Sequence, residues 1–306
     1  MPLSRRDFLR TAALAAGALS LPGRLSAAGL DGSIDTDEDE ARLRSWVRTL
    51  RAERLAARGR PLGRAVARVG ELALGAPYAA GTLDAYLSTP GGEPTHEPLT
   101  LTLSRFDCVT LVESCLAVAR VAAGGAEPAW DAFAAQVQRL RYRGGARDGY
   151  LSRLHYFSEW IADGTRRGTV RDIGPDLGSV LDARPLRFMS QHRWSYPALR
   201  VDAVFSAVAQ HERALDAAPR HLVPTERIAA VADRIHTGDV LAFATSIAGL
   251  DATHTGLAYR DKAGVLRALH APLSGGQVQV SRRPLQEYVA GIAHSTGILV
   301  ARPLPV

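Results

Sequence analysis

Strand-like segments are concentrated in the last third of the chain, and this uneven distribution constrains the fold more than any other feature. Five short runs rich in apolar and β-branched residues, separated by Asp, Gly, Ser and Pro, lie at residues 238–245, 254–259, 265–271, 277–281 and 297–302. The preceding two thirds mainly carry helical periodicity. Helices followed by an antiparallel meander predict an α+β fold rather than a doubly wound parallel sheet.

The N-terminus is typical of an export signal. Residues 4–10 (SRRDFLR) contain a twin-arginine pair, and an apolar run and the small residues 26–28 follow. We expect cleavage near Ala28 and delivery to the periplasm, or otherwise out of the cytoplasm, by the twin-arginine pathway, although an ordinary amphipathic helix would show part of this pattern. The chain then divides into a signal (1–28), a leader with an N-terminal helix (29–60) and a single domain (61–306).

Composition and charge limit the partners. The chain has 306 residues, 46% hydrophobic, enough to bury a sizeable core. Its formal charge of +6 includes Arg5, Arg6, Arg10 and Arg24 against Asp7, so signal removal leaves +3. This weak bias does not argue for nucleic acid, but suits an anionic polymer such as cell wall. No later run is long enough to span a bilayer, so we expect no stable membrane anchor after signal cleavage. We also expect a monomer.

Cys108 is the candidate nucleophile because it lies where an apolar helix is predicted to begin. Ser104 and Asp107 have the spacing of a capping box, and a buried helical face follows. Free backbone N–H groups and the helix dipole would favour the reactive thiolate there. The alternative is an inert buried thiol.

The second cysteine has a different predicted role. Cys115 lies seven residues further along the same helix, about 10 Å away, too far for a disulfide. We therefore assign it to core packing. In an oxidising compartment, an unpaired cysteine at position 108 is then informative.

Two histidines are predicted to meet across a β-hairpin. If the turn at residues 260–264 is centred on Lys262, His254 lies directly opposite His270, with Cβ atoms about 5 Å apart. Gly256 and Ala258 would leave room on that face for the cysteine helix. The pair would supply a base and a group that orients it.

Five segments combine Cys, Arg, Tyr and His distinctively: FDCVTLVE (106–113), RYR (141–143), RLHY (153–156), GLDATHTG (249–256) and LHA (269–271). On these segments, spread over roughly residues 65–303, the sequence resembles the NlpC-type superfamily of papain-like cell-wall cysteine hydrolases. Within it, the chain is most similar to the N-acetylmuramoyl-L-alanine amidase-like family. The resemblance implies a papain-like core, with the cysteine helix packed on the meander and extra helical segments around it.

The resemblance also implies an activity without metal or organic cofactor. Cys108 would attack a carbonyl, His254 would shuttle the proton, and His270 would hold the His254 ring. The backbone N–H of Cys108 and, by analogy with relatives, Tyr78 would line the oxyanion pocket. The scissile bond would be the amide between N-acetylmuramic acid and L-alanine in peptidoglycan or muropeptides.

Residues outside the minimal core are candidates for substrate contacts. Arg153 and His155 could meet stem carboxylates, and Tyr150 and Trp194 could stack on sugar. The apolar spacing of residues 151–162 predicts that the segment around Arg153 and His155 is one continuous helix.

Other classes remain as alternatives. The nearest is a γ-D-glutamyl-diamino-acid endopeptidase acting on stem peptides. A zinc amidase could use the two histidines as ligands, but no His-Glu-x-x-His motif is present. A non-catalytic wall-binding module would not need to keep the cysteine and both histidines. A serine hydrolase is disfavoured because no Gly-x-Ser-x-Gly motif occurs.

Overall fold

A computed structural model describes residues 36–306. The predicted signal at 1–28 and the beginning of the leader lie outside the described residues. Among the described residues, no helix is both long and apolar enough to cross a membrane.

The described chain combines helices with one sheet whose strands differ in length. The helices are α1 (Thr36–Ala52), α2 (Gly63–Leu72), α3 (Cys108–Ala123), α4 (Trp130–Arg141), α5 (Gly149–Ser152), α6 (Phe157–Arg166), α7 (Phe188–Gln191), α8 (Asp202–Leu215), α9 (Ile228–Val231) and α10 (Leu285–Ala290). The strands are β1 (Val170–Asp172), β2 (Val180–Asp182), β3 (Arg220–Pro224), β4 (Val240–Thr245), β5 (Ala252–Arg260), β6 (Leu266–His270), β7 (Gln279–Val280) and β8 (Ser295–Pro303). The predicted α+β class is confirmed.

The sheet is an antiparallel meander extended at one side. Its strand order is β2-β3-β8-β4-β5-β6-β7, and β1 also pairs with β8. The five strands predicted in the last third are all present. Strands β1 and β2 lie in a stretch that carries no strand-like alternation, and their pairing with β8 and β3 explains why they form.

The predicted register of the histidine hairpin is wrong by two residues. Leu257 pairs with Leu269 and Arg260 with Leu266, so the turn is centred one residue beyond Lys262. His254 therefore does not lie directly opposite His270. Since the shift is two residues, both histidines still lie on one face.

The two faces of the sheet carry different cores. Leu257 and Leu269 belong to the core formed with α1, α2 and α3, whereas Ala258 and Ala268 belong to the core on the other side, which includes α10. The expectation that α3 packs over the face with Gly256 and Ala258 is therefore wrong. It covers the opposite face, so only its N-terminal end can approach the histidines.

The N-terminal helix is part of the main core. Leu43, Trp46, Val47 and Leu50 are buried in the cluster that contains the cysteine helix. The Asp39 carboxylate, also buried, accepts a hydrogen bond of 2.9 Å from the backbone N–H of Leu103. Part of the segment that we separated as a leader with a helix is thus packed against the domain.

Residues 150–156 and 186–208 form a cap at the end of the sheet where β5 begins. Its own apolar cluster includes Tyr150, Tyr156, Phe188 and Leu250. Gly249 joins this cap to the sheet, because its carbonyl accepts the backbone N–H groups of residues 187 and 188. Gly249 has a φ of +76°, and a Cβ there would lie 2.8 Å from the Phe188 nitrogen.

Candidate active site

Cys108 is the first residue of α3, as the sequence predicts. The cap itself differs from the prediction. The Asp107 carboxylate accepts the Thr110 backbone N–H at 2.7 Å, and the Thr110 hydroxyl accepts the Asp107 N–H at 2.9 Å. The capping box is therefore Asp107 with Thr110, not Ser104 with Asp107.

The environment of Cys108 favours the neutral thiol in the free protein. Burial, and then the charge of Asp107, raises the pKa of the Cys108 thiol to about 12. The backbone N–H groups of Thr255, Cys108 and Val109 act in the opposite direction and are outweighed. The helix start thus supplies donors near the sulfur, but it does not lower the thiol pKa as we expected, because desolvation is the larger effect.

Cys115 lies in the core of α3. It is buried beside apolar residues, and burial alone raises its pKa beyond the ordinary range. Both cysteines are free. Their surroundings differ because only Cys108 lies at the helix end that meets β5.

His254 and His270 are directly hydrogen-bonded despite the shifted register. Nε2 of His254 lies 2.8 Å from Nδ1 of His270, and the rings meet edge to face at 75°. Gly256 makes this possible, since a Cβ there would lie 2.9 Å from the Cβ of His270. The pair leaves Nδ1 of His254 available for a second partner.

Both imidazoles are held neutral. Burial, and then the neighbouring His270, keeps the pKa of His254 well below its usual value. Burial lowers the pKa of His270 to about 4. Near neutral pH the site therefore contains a thiol and two uncharged rings, and ionisation must accompany the reaction.

The cysteine meets the histidine strand through the backbone. The Thr255 backbone N–H lies close enough to the Cys108 sulfur to lower the pKa of the thiol. Thr255 directly follows His254 in β5. α3 packs against β5. The helix start and the histidine pair are thus brought to the same end of the sheet.

Tyr78 lies beside the helix entry. It forms a bridge with Phe106, two residues before the cysteine, and its backbone N–H donates to the Gly276 carbonyl at 2.8 Å. Burial raises the Tyr78 pKa, and the nearby Cys108 raises it further. Tyr78 is therefore next to the candidate nucleophile, where the family resemblance suggests it.

Tyr288 is a site residue that the sequence analysis missed. Its hydroxyl lies 3.4 Å from Nδ1 of His270, and its ring contacts those of His270 and Phe243. Phe243 in turn stacks on His254 at an interplanar angle of 12°. Tyr288 comes from α10, after the strands that carried the prediction, and no local pattern marks it.

Tyr150 and Arg153 do not form a rim. Tyr150 is 1% exposed and Arg153 is 6% exposed. The Arg153 guanidinium pairs with Asp84 and lies 3.6 Å from the Glu97 carboxylate. The expected role of both as exposed substrate contacts is therefore wrong in position, because an internal ion network occupies the arginine.

The predicted helix over residues 151–162 is also broken. Arg153 is extended and forms a bridge with Tyr142, and α6 begins only at Phe157. His155 is half-buried, with Nε2 3.0 Å from the Tyr150 carbonyl oxygen, and burial lowers its pKa to about 3. His155 is thus a neutral packing residue rather than a partner for carboxylates.

Trp194 alone among the four has the exposure expected of a rim residue. It is 73% exposed and carries the Arg193 guanidinium over its ring at 5.1 Å. It belongs to the cap over the start of β5.

Two other features bear on the chemistry. Within residues 36–306, no group of three or more His, Cys, Asp or Glu side chains is arranged to hold a metal ion.

A groove of about 820 Å³ lies between α2 and the far end of β5, with Arg64 and Tyr259 among its lining residues, and does not include Cys108. The chemistry available at the helix start is nucleophilic attack by a thiol assisted by a neutral base.

Comparison with known proteins identifies the family of this chain. Residues 68–297 match the AmiA-like family, described as N-acetylmuramoyl-L-alanine amidase-like. No curated protein matches the chain. Among solved structures, an N-acetylmuramoyl-L-alanine amidase from Bacteroides uniformis is 31% identical, with a TM-score of 0.71, over 79% of this chain and 98% of the other.

Two further structures are similar. A Bacteroides fragilis protein named as a candidate xylanase is 33% identical, with a TM-score of 0.70, over 76% of this chain and 99% of the other. A Legionella pneumophila protein is 17% identical, with a TM-score of 0.64, over 90% of this chain and 97% of the other, and shows a shared fold. By the extent of the family match and the identity to the Bacteroides uniformis structure, this chain belongs to the N-acetylmuramoyl-L-alanine amidase-like family.

Proposed function

We propose that the protein is a cysteine-dependent peptidoglycan hydrolase that cleaves the amide between N-acetylmuramic acid and L-alanine. One observation carries the mechanism: Cys108 begins α3 beside Thr255, and the adjacent His254 is hydrogen-bonded to His270 at 2.8 Å. Family membership and the name of the Bacteroides uniformis structure support the substrate class. We also propose that the core is papain-like and of the NlpC type; the support is the resemblance carried by the five sequence segments named above.

The first half-reaction forms a thioester. The Cys108 sulfur attacks the lactyl carbonyl carbon while its proton passes to Nδ1 of His254. The oxyanion faces the free N–H groups at the start of α3, where the first helical hydrogen bond is donated only by Leu111. The carbon–nitrogen bond then breaks, and His254 returns the proton to the departing amine of L-alanine.

The second half-reaction regenerates the thiol. Water gives a proton to Nδ1 of His254 as it attacks the thioester, and the carbon–sulfur bond then breaks. His254 returns that proton to the Cys108 sulfur, and the muramic acid carboxyl group leaves and loses its own proton to solvent. His270 stays neutral throughout, because burial keeps its pKa at about 4. It can therefore accept a hydrogen bond from Nε2 of His254 when that ring is charged.

The candidate xylanase name given to one neighbour does not fit these residues. Glycoside hydrolases usually place two carboxyl groups on either side of the scissile bond. The carboxylate beside Cys108 is that of Asp107, and it is occupied in capping α3. A thiol with a histidine base suits an amide better.

We further propose that residues 1–28 direct export by the twin-arginine pathway. The support is the order of the arginine pair, apolar run and small residues in the sequence. Periplasmic delivery would place the enzyme with its proposed substrate. Replacing Arg5 and Arg6 by lysine should then retain the protein inside the cell, as measured by fractionation.

Mass spectrometry of a defined disaccharide tetrapeptide tests the bond. We expect free disaccharide and intact tetrapeptide. Disaccharide still bearing L-Ala-D-Glu would instead identify a γ-D-glutamyl endopeptidase. Release of reducing sugar from xylan, with no cleavage of the muropeptide, would favour the activity named for the Bacteroides fragilis protein.

Matched cysteine variants test the nucleophile. Cys108→Ala should lower kcat by at least about 10³-fold, since the covalent route is lost. Cys115→Ala is the control from the same helix and should retain activity, as should wild-type protein treated with EDTA. Undiminished turnover by Cys108→Ala, or loss of turnover with EDTA, would rule the thiol mechanism out.

A further inference from the structure

Tyr288 adds a third member to the histidine pair. Its hydroxyl approaches Nδ1 of His270, the same nitrogen that His254 contacts, at 3.4 Å against 2.8 Å. Burial, and then the charge of Cys108, raises the Tyr288 pKa to about 12. The hydroxyl therefore keeps its proton at neutral pH and is able to donate it.

The pair of histidines can share its hydrogen bond in two ways. Either Nε2 of His254 donates to Nδ1 of His270, or Nδ1 of His270 donates to Nε2 of His254. In the second arrangement the neutral His254 carries its proton on Nδ1 and cannot accept one there. Only the first arrangement leaves Nδ1 of His254 free to take the thiol proton.

The surroundings of the far nitrogen of His270 do not select between the two arrangements. The first arrangement places a proton on Nε2 of His270, and that atom is buried without a hydrogen-bond partner among the described residues. In the second arrangement the same nitrogen is a buried acceptor without a donor in the described chain, so it is unsatisfied in both arrangements. The productive tautomer must therefore be favoured by what happens at Nδ1.

We propose that Tyr288 is a positioning residue that donates its hydroxyl hydrogen bond to Nδ1 of His270, and thereby keeps His254 in the tautomer that can act as the base. The inference rests on the proposed function. With Nδ1 unprotonated, its single lone pair is shared between the N–H at Nε2 of His254, at 2.8 Å, and the Tyr288 hydroxyl, at 3.4 Å. With Nδ1 protonated, the Tyr288 hydroxyl loses this acceptor. The ring contacts with Phe243 and His270 fix the hydroxyl in place.

Tyr288→Phe tests this role because it removes only the hydroxyl and keeps the ring packing. Long-range ¹H–¹⁵N correlation spectra at pH 7 report which ring nitrogen of His254 carries the proton. In the wild type we expect Nδ1 unprotonated and Nε2 protonated, and in Tyr288→Phe a mixture of both tautomers. On the muropeptide, kcat should fall about three- to tenfold with little change in KM, as expected for one neutral hydrogen bond.

Tyr259→Phe is the matched control. Tyr259 also lies on the histidine hairpin, but it lines the groove at the far end of β5 and interacts with Glu71. It should leave both the spectrum and kcat unchanged.

The outcomes separate this proposal from the proposed function. A reduced kcat in Tyr288→Phe with an unchanged His254 tautomer would overturn the positioning role, and so would a rise in KM alone, which would indicate substrate contact. If the tautomer shifts but the wild type does not cleave the muropeptide, the positioning role holds and the proposed substrate is wrong.

Discussion

Two buried polar clusters in this molecule handle charge in opposite ways. The histidine cluster of the proposed active site, formed by His254, His270 and Tyr288, is kept neutral by burial, which lowers both imidazole pKa values and raises that of the phenol. In the arginine network around Arg141 and Arg153, guanidinium groups face carboxylates at close range. The two clusters are formed from different parts of the chain. The histidine cluster comes from the meander and α10, and the arginine network comes from the segment before α3, α3 itself, the end of α4 and the segment after α5.

The arginine network positions the backbone. The Arg141–Glu113 pair, at 2.7 Å, is almost fully buried, and Arg141 also donates to the Thr100 carbonyl at 2.7 Å. Arg153 joins the Asp84 loop to the extended segment after α5. Since breaking a buried ion pair leaves an uncompensated charge, such a network tolerates little movement.

The histidine cluster is suited to moving a proton. Its rings pack on one another and on Phe243, and its single short hydrogen bond can be formed by either tautomer. Protonation of His254 does not break its hydrogen bond to His270, because Nδ1 of the neutral His270 ring can accept the N–H at Nε2 of His254. The contrast predicts that removing a member of the arginine network mainly lowers stability, whereas the proposed catalysis would depend on the histidine cluster.

The largest expected effect comes from breaking the arginine network. Arg141→Met should lower the free energy of unfolding by about 3–5 kcal/mol, because Glu113 stays buried without its cation. Urea unfolding followed by circular dichroism would measure this. The double variant with Glu113→Met should recover most of the loss, since no buried charge remains. A loss below about 1 kcal/mol in the single variant would contradict the structural role of this pair.

Lowering the pH should change the contributions of the two clusters to the free energy of unfolding in opposite directions. Burial raises the pKa of Glu97 and Glu113, so the folded state binds more protons than the unfolded chain, and their contribution to stability grows as pH falls through the raised pKa. Burial lowers the pKa of His270 to about 4, so the unfolded chain binds more protons between about pH 6.5 and 4. Stability is then lost as pH falls through that range.

His270→Gln isolates this histidine contribution. Between pH 7 and 4 the wild type should lose up to about 3 kcal/mol more unfolding free energy than the variant, from one proton over about 2.5 pKa units. Urea titrations at several pH values would measure the difference. Parallel curves for the two proteins would show that the His270 pKa is not depressed in the folded state.

The parts predicted correctly from sequence depend on local pattern. The start of the cysteine helix at Cys108 and the strands that carry His254 and His270 follow from periodicity and turn residues. The family was predicted from the sequence resemblance. The hairpin register was wrong because the position of the turn around Lys262 depends on side-chain contacts that spacing does not specify.

The predictions that were wrong or missing depend on tertiary contacts. Nothing around Arg153 indicates that Asp84 and Glu97 will surround it and interrupt the predicted helix. Tyr288 could not be found because its partner His270 lies on another element. The raised pKa of Cys108 also escaped prediction, since the helix start is visible in the sequence and the degree of burial is not.

The smallest expected effects come from removing one tyrosine hydroxyl from each cluster. The Tyr142 hydroxyl donates to the buried Glu97 carboxylate at 2.9 Å, and the other oxygen of Glu97 has no hydrogen-bond partner within the described chain. Tyr142→Phe should therefore cost about 1–3 kcal/mol of unfolding free energy, the usual penalty for a buried acceptor that loses its donor. Tyr288→Phe should cost less than about 1 kcal/mol, because its hydrogen bond of 3.4 Å is long and Tyr288 is only half-buried. Urea unfolding of both variants side by side compares the same chemical change in a charged and a neutral setting. Equal losses would mean that the Tyr288 hydroxyl is needed for stability as much as that of Tyr142, and the division between a stabilising network and a catalytic cluster would not hold.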